Sequence, residues 1–296
     1  MPAAPSEAQA QRAADLRDEL RRHNQLYYAG EPTEISDPAF DELLRELRDL
    51  ETEFPELQTA DSPTQRVGGT AIDGFVTVPH AVPMLSIDNT YSREEFETWH
   101  SRILGEIERA SDLWTKVKPH DRDPIQLILE PKIDGVALSL RYENGTLVQA
   151  LTRGDGAKGD DITHNIKTVH AIPLKLNGNQ KNVPGVPEVL EVRGEIYMPH
   201  AVFEQVNAKR EAAGEDLFAN PRNSTAGTLK QKDPAKVIRG LAFIAHGRGV
   251  VSDDADDAFG STHSRFLEAV GQLGVPTHEH QLVGETVEQA WGFIES

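Results

Sequence analysis

Val136-Ala137-Leu138-Ser139-Leu140-Arg141-Tyr142 and Leu147-Val148-Gln149-Ala150-Leu151-Thr152 flank the four residues Glu143-Asn144-Gly145-Thr146. Both flanking runs are apolar and β-prone. Asn-Gly between two such runs is the strongest short-range signal for a hairpin of antiparallel strands. Working outward, Gln126 to Glu130 reads as a strand, and so do Val189 to Tyr197 and Leu241 to His246. Ala201 to Gly214 reads as a helix between them, and residues 92–111 as another. Strands and helices do not alternate regularly. The pattern therefore predicts an α+β fold with antiparallel sheet rather than a doubly wound one.

The first 55 residues have a different texture. Leu16, Leu20 and Tyr27 fall close to one face of a helix over residues 6–29, ended by Gly30-Glu31-Pro32. A second helix starts at Asp37-Pro38, with Asp suited to the N-cap and Pro to the first turn. Its apolar stripe is Phe40, Leu43, Leu44, Leu47 and Leu50, and Pro55 stops it. This helical hairpin is too small to be a sizeable domain alone. A polar connector follows, with Asp61-Ser62-Pro63-Thr64 and Gly68-Gly69, and a domain boundary is placed near residue 70. At the other end, Val287, Trp291 and Ile294 mark a helix over Thr286 to Ser296 with no C-cap signal, which suggests a truncated sequence. Ser252 to Asp257 is read as a solvated acidic loop.

Composition bounds the function. The chain has 296 residues, 38% hydrophobic, enough to build a core. It has no cysteine, which excludes disulfides, cysteine zinc fingers and iron–sulfur clusters. No run approaches the roughly 18 apolar residues of a membrane span. The N-terminus lacks the basic start and apolar core of a signal peptide, so a soluble, cytoplasmic protein is expected. The net charge of −18 argues that this chain by itself grips nucleic acid weakly or not at all.

The sharpest chemical feature is Glu130-Pro131-Lys132-Ile133-Asp134-Gly135. In an extended segment Glu130, Lys132 and Asp134 share a face, placing an amine between two carboxylates. A surface salt-bridge ladder would read the same way. Beyond the hairpin comes Thr152-Arg153-Gly154-Asp155-Gly156-Ala157-Lys158-Gly159-Asp160-Asp161, whose glycines would let backbone approach a ligand, or form an ordinary polar turn. In Glu191-Val192-Arg193-Gly194-Glu195-Ile196-Tyr197 alternation puts Glu191, Arg193 and Glu195 on one face, unless Gly194 marks a bulge. Phe218-Ala219-Asn220-Pro221-Arg222-Asn223-Ser224-Thr225-Ala226-Gly227 reads as too polar and specific to be core. Phe243-Ile244-Ala245-His246-Gly247 ends a strand.

Together these strings resemble the adenylation domain of bacterial NAD-dependent DNA ligases. Lys132-x-Asp134-Gly135 looks like the signature of covalent nucleotidyltransferases. The Thr-Arg-Gly-Asp-Gly, Glu-Val-Arg-Gly-Glu and Phe-Ala-Asn-Pro-Arg-Asn strings, with Val82-Pro83-Met84-Leu85-Ser86, narrow it to the NAD-dependent branch. Tyr27-Tyr28, Asp37-Pro38-Ala39-Phe40-Asp41 and the run from Asp61 to Gly68 resemble the small helical domain that this branch carries. The resemblance covers essentially the whole chain in one order. It implies a helical domain for the nicotinamide mononucleotide (NMN) half over residues 1–70. Residues 71–296 would be a nucleotidyltransferase domain with antiparallel sheets, incomplete at its C-terminal end.

The resemblance also implies roles. Lys132 would attack the α-phosphorus of NAD, releasing NMN and forming a lysyl-AMP phosphoramidate. The attack needs a neutral amine, whereas a lysine in water titrates at about 10.4. A bound Mg²⁺ and an arginine would help by disfavouring the charged form. Glu130 would read the adenine amino group, Arg153 would lie near ribose and phosphate, and Glu195 would meet a ribose hydroxyl or the metal. His246 would stack on adenine, although a strand-end surface histidine fits its position too. Ser86 and Ile87 match the adenosine-pocket segment, and Asp134 would support the lysine loop. Tyr27, Tyr28, Asp37, Phe40 and Asp41 would hold the NMN half. Tyr28 stands where some relatives carry His, and Phe40 where some carry Tyr. Asp37 also fits a plain N-cap, and Phe40 a plain core residue.

The family continues with a strand carrying Asp-Gly-x-Val-x-Lys and a further lysine. Neither follows Trp291, and the family's OB-fold, four-cysteine zinc module, helix–hairpin–helix array and BRCT domain have no counterpart here. The expectation is thus the N-terminal part of a monomeric ligase whose full-length form seals nicked DNA, using NAD and Mg²⁺, with no zinc site in this chain and no membrane contact. No metal ligand is nominated. A non-catalytic NAD- or adenosine-binding fragment is the alternative. An ATP-using ligase or capping enzyme is disfavoured, because the domain around Tyr27 to Asp41 has no purpose without the nicotinamide half.

Overall fold

The computed structural model describes residues 4–29, 35–59, 62–65, 74–109, 126–177, 185–253, 255, 259 and 262–296. In chain order the elements are α1 (Glu7–Ala29), α2 (Asp37–Glu53), β1 (Thr77–Pro79), α3 (Arg93–Arg109), β2 (Leu127–Leu129), β3 (Val136–Glu143), β4 (Thr146–Thr152), β5 (Lys158–Asp160), α4 (Thr163–Ile166), β6 (Val189–Tyr197), α5 (His200–Ala212), α6 (Pro221–Leu229), β7 (Ala242–Val251), α7 (His263–Gln272), β8 (Leu282–Gly284) and α8 (Val287–Glu295). Every strand pair between named strands is antiparallel. The α+β expectation holds. The chain forms two compact units, one of residues 1–85 and 133–277 and one of residues 86–132 and 278–296.

In the first unit α1 and α2 make the expected hairpin. Ala13, Leu16, Leu20 and Leu47 are fully buried, with Phe40, Leu43, Leu44, Leu50 and Leu57 packed around them. The N-cap of α2 is Ser36, not Asp37, and it makes no side-chain cap hydrogen bond; Pro38 occupies the first turn as expected. Asp37 is already helical, one residue inside the boundary read from its residue type. The Asp61-Ser62-Pro63-Thr64 string is more than a polar connector. Glu51 is buried, and its carboxylate accepts from Ser62 Oγ at 2.6 Å, from Thr64 Oγ1 and from Arg17 at 3.3 Å. A buried carboxylate needs such donors to be tolerated, and the connector supplies two of them. The boundary near residue 70, Gly68-Gly69, the Gly30-Glu31-Pro32 helix stop and part of the Ser252–Asp257 run lie outside the described residues.

The main sheet has the order β4-β3-β6-β7. The β3–β4 turn has Asn144 at φ 48° and Gly145 at φ 76°, both in the left-handed region, as the Asn-Gly pair requires. Alternation sorts the strands into two faces. Leu138, Leu140, Tyr142, Leu190, Val192 and Ile196 form the apolar face, all fully buried. Each such side chain contributes about 1.5–3 kcal/mol relative to exposure. Ser139, Arg141, Glu191, Arg193 and Glu195 lie on the opposite face, as the cross-strand pairs Ser139↔Arg193, Arg141↔Glu191 and Ala137↔Glu195 require. β7 runs to Val251, five residues past the expected end at His246. Past His246 the run Gly247-Arg248-Gly249 interrupts the apolar pattern before Val250-Val251, which hides the extension from a hydropathy reading.

The second unit pairs β2 with β8, Ile128 opposite Val283. Helix α3 meets α8 through Phe96, whose ring lies 6.2 Å from that of Trp291 and stacks on Trp99 at 5.7 Å. Thr286 and Gln289 form a capping box at the start of α8, while Ile294, placed on the buried stripe by spacing, is 53% exposed. Among the described residues no helix is long and apolar enough to cross a membrane.

Candidate active site

The expected site residues divide between the two units. On the second unit lie Ser86, Ile87, Glu130 and Lys132; on the first lie Arg153, Glu195, His246, Phe40 and Asp41.

The lysine motif is not an extended strand. β2 ends at Leu129, residues 130–134 are irregular, and β3 begins at Val136. The expected alternation of Glu130, Lys132 and Asp134 along a strand therefore does not apply, since proline at 131 cannot donate to a ladder. Lys132 is exposed and Glu130 half-buried, with its Oε1 shielded from solvent. Asp134 accepts from Arg222 Nη1 at 2.7 Å. Arg222 sits in the first turn of α6, so this ion pair ties the residue two places after Lys132 to that helix. Gly135 is required by packing: a Cβ there would stand 2.2 Å from the Ile196 carbonyl oxygen of β6.

The Phe218-to-Gly227 string behaves differently from its reading. It forms α6, and Ser224 and Thr225 are completely buried. The polar side chains are core because the helix satisfies them. Ser224 Oγ donates to Asn220 O at 2.7 Å and Thr225 Oγ1 to Pro221 O at 2.8 Å. Asn220 is the N-cap, its side chain accepting from Asn223 N.

Arg153 follows β4 directly, its N–H donating to Ala137 O at 3.1 Å. Ala137 in turn pairs with Glu195 across β3 and β6. The loop after Arg153 is held by Asp155, whose carboxylate accepts from Ala157 N and Lys158 N. Lys230, just past α6, is partly sunk: burial pushes its ammonium below the ordinary lysine value, and Asp160 opposes that shift.

The anticipated bulge near Gly194 exists, but the extra residue is on β7. Arg193 pairs with Gly247 and Gly194 with Ala245, which leaves His246 as the inserted residue. A bulge re-aims the side chain it carries. His246 is exposed, and its Nε2 lies 4.0 Å from the Glu195 carboxylate. Gly194 itself serves close approach, since a Cβ there would stand 2.3 Å from both Ile244 O and the Phe243 ring. A second irregularity on β7 faces Glu191, which accepts from Val250 N at 3.1 Å and pairs with Arg141 at 3.2 Å.

Ser86 and Ile87 lie in an irregular, exposed segment, Ile87 at 70%. Phe40 and Asp41 are half-buried on α2, and Phe40 packs on the hairpin core, as a structural residue would. Tyr27, Tyr28 and Asp37 have helical backbone, but their side chains fall outside the described residues. Sequence reasoning assigned no role to Arg193, to Arg222, which pairs with Asp134, or to His80, whose Nε2 lies 3.1 Å from the Arg153 carbonyl oxygen. For Arg193 and Arg222 the signal was present, a cation within each polar string; His80 carried none. Among the described residues no group of three or more His, Cys, Asp or Glu is arranged to hold a metal ion.

Residues 72–296 match the family described as the NAD-dependent DNA ligase adenylation domain. The chain belongs to the NAD-dependent DNA ligase family. Residues 6–68 match the DNA ligase-like, N-terminal NAD+-binding domain. Curated relatives named DNA ligase agree. That of Rhodopirellula baltica is 46% identical over 278 residues, 92% of this chain and 37% of the relative. That of Akkermansia muciniphila is 44% identical over 92% of this chain and 32% of the relative, and that of Geobacter sulfurreducens 44% over 91% and 38%. The chain thus spans about a third of the length of these ligases. Within the ligase adenylation domain, Lys132 and Asp134 occupy the irregular β2–β3 connection, and Glu195 and His246 occupy neighbouring strands of the main sheet.

Proposed function

We propose that this chain is the NAD-binding and self-adenylating part of a DNA ligase, with Lys132 as nucleophile. The carrying observation is the lysine loop itself: an exposed lysine in the β2–β3 connection, followed by an aspartate anchored to α6 through Arg222, in a chain of this family. NAD enters as substrate. The Lys132 amine, having lost a proton, bonds to the α-phosphorus; the bond from that phosphorus to the oxygen of the NMN phosphate breaks, and NMN leaves. A lysyl-AMP phosphoramidate results. In the full-length protein the AMP would then pass to the 5′-phosphate of nicked DNA before sealing.

The donor set suits an adenosine phosphate. Glu130 supplies a sheltered acceptor for the adenine amino group, Arg153 a cation for phosphate, Glu195 an acceptor for a ribose hydroxyl, and His246 a ring to stack. Ser86 and Ile87 would line the adenosine pocket; Tyr27, Tyr28, Asp37, Phe40 and Asp41 would hold the NMN half, where an aromatic ring and an acid suit the cationic nicotinamide. Mg²⁺ takes one or two carboxylates plus substrate phosphates; Glu195 would serve either that ion or the ribose hydroxyl, and the ion would neutralise phosphate charge. The domain division near residue 70 is supported by family matches ending at 68 and beginning at 72. A cytoplasmic monomer with little DNA affinity of its own, at a net charge of −18, completes the reading.

Intact mass after incubation with NAD and Mg²⁺ tests it. One added AMP in the wild type and none in Lys132→Ala is the expected result. An unchanged wild-type mass, with NAD still bound by calorimetry, would replace this reading with a binding-only one.

A further inference from the structure

Residues 77–84 form a strap across the polar face of the main sheet. β1 pairs with β5, His80 N donates to Ala157 O at 2.9 Å, and Met84 N donates to Gly156 O at 2.9 Å. Packing on the strap is uneven, since Met84 is buried while the residues on either side of it are exposed. A cavity of about 110 Å³ opens where Pro79, His80 and Ala81 pass over Ser139, Arg141 and Glu191. Val82 is 40% exposed and Leu85 80%. Between these loose stretches one side chain reaches up from the sheet. Arg193 donates from Nη1 to Pro83 O at 2.9 Å and from Nη2 to Val82 O.

Arg193 is partly sunk while its fork reaches the strap. The Arg193 Nε is buried without a hydrogen bond, and burial pushes the guanidinium below its ordinary value while Glu191 opposes that shift. The two Nη bonds to the carbonyls lie at the exposed rim of the sheet, and only Nε is enclosed. The planar fork is what the site uses, since two consecutive carbonyls are gripped by one side chain. The strap leads within three residues of chain into Ser86, and Arg193 lies two residues before Glu195 on the same face of β6.

We infer that Arg193 is a positioning residue for nucleotide binding: it pins Val82 and Pro83 so that the segment entering Ser86-Ile87 is held in a binding-ready course. This rests on the proposed NAD-binding reading and adds to it a residue that touches no nucleotide itself.

The test uses the 296-residue chain with Arg193→Met and Arg193→Lys, reading hydrogen exchange and NAD affinity by calorimetry. In Arg193→Met, exchange of the His80 and Met84 amides should rise at least tenfold while the β3 amides from Leu138 to Tyr142 stay protected. The Kd for NAD should rise at least tenfold, and Arg193→Lys, which keeps the charge but not the fork, should fall between. Strap amides as protected in Arg193→Met as in the wild type would overturn the proposal. So would a loosened strap with unchanged NAD affinity. If Arg193→Met loses protection everywhere, Arg193→Lys decides by the same two readings. A wild-type chain that does not bind NAD would instead remove the underlying reading, and the exchange result would still show separately whether Arg193 pins the strap.

Discussion

The two faces of the main sheet are built from alternate residues of the same strands, yet they follow different rules. On the apolar face Leu138, Leu140, Tyr142, Leu190 and Val192 are sealed from water. Any neighbour of the right shape can stabilise them, because dispersion and burial are not directional. On the polar face Ser139 and Glu191 are also buried. There each group needs a particular partner at a particular angle: Glu191 takes Arg141 and the Val250 amide, and Arg193 takes the Val82 and Pro83 carbonyls. The comparison teaches that burial alone does not mark a core. The polar face is buried because remote segments were recruited to satisfy it, and the candidate site residues Glu195 and His246 lie on that side of the bargain.

The largest effect should come from the apolar face. Leu140→Ala should cost about 2–5 kcal/mol, read from the denaturant midpoint. Glu191→Ala on the other face leaves Arg141 and the Val250 N–H short of an acceptor, and should cost about 1–3 kcal/mol in the same assay. A Glu191 variant as damaging as Leu140→Ala would break the distinction between the faces. Asp134→Asn removes an ion pair whose carboxylate is 69% exposed. Its stability change should stay within about 1 kcal/mol, while the rate of AMP transfer to Lys132 falls at least tenfold. Equal and small effects on both would reduce the Asp134–Arg222 pair to surface decoration.

The smallest effect concerns the helical hairpin. The hydrogen bond from Arg12 holds the Glu46 carboxyl below its ordinary value, with burial opposing. A depressed carboxylate stabilises the fold above its unfolded pKa, and that contribution disappears as pH falls through the folded pKa. The pair is exposed, so its worth is at most about 1 kcal/mol. Stability of the wild type minus that of Glu46→Gln should therefore be a small positive difference near neutrality that vanishes in acid. A difference that persists at low pH would show that Glu46 acts through packing and not through charge.

How much was readable depended on element length and on the kind of force involved. β3, β4 and β6 were visible because seven to nine residues of alternation, punctuated by Asn144-Gly145, leave one reading. The hairpin of α1 and α2 was visible through its leucine stripe. The three-residue strands β1, β5 and β8 were not, since three residues carry no period; β2, equally short, was legible only through its apolar run Leu127-Ile128-Leu129. α6 escaped because its buried face is mostly serine and threonine; Ser224 and Thr225 donate to carbonyls one turn back, and Thr228 accepts from Ile238 N. The candidate site divides in the same way. Lys132, Glu130, Arg153 and Glu195 stand in recognisable strings, whereas the Arg222 and Arg193 contacts join residues 88 and about 110 positions away.

By itself, then, the order of residues determined the α+β class, the antiparallel hairpin, the apolar stripes and the chemical identity of the lysine motif. These follow from local periodicity, turn chemistry and residue type, all of which act over a few positions. Only the tertiary structure decided that His246 is the bulged residue beside Glu195, that Asp134 is anchored by Arg222, and that Arg193 grips the strap before Ser86. Hydrogen bonds and ion pairs are directional and short in reach, so a polar side chain far from its partner in sequence has many partners it could take. The folded backbone chooses among them.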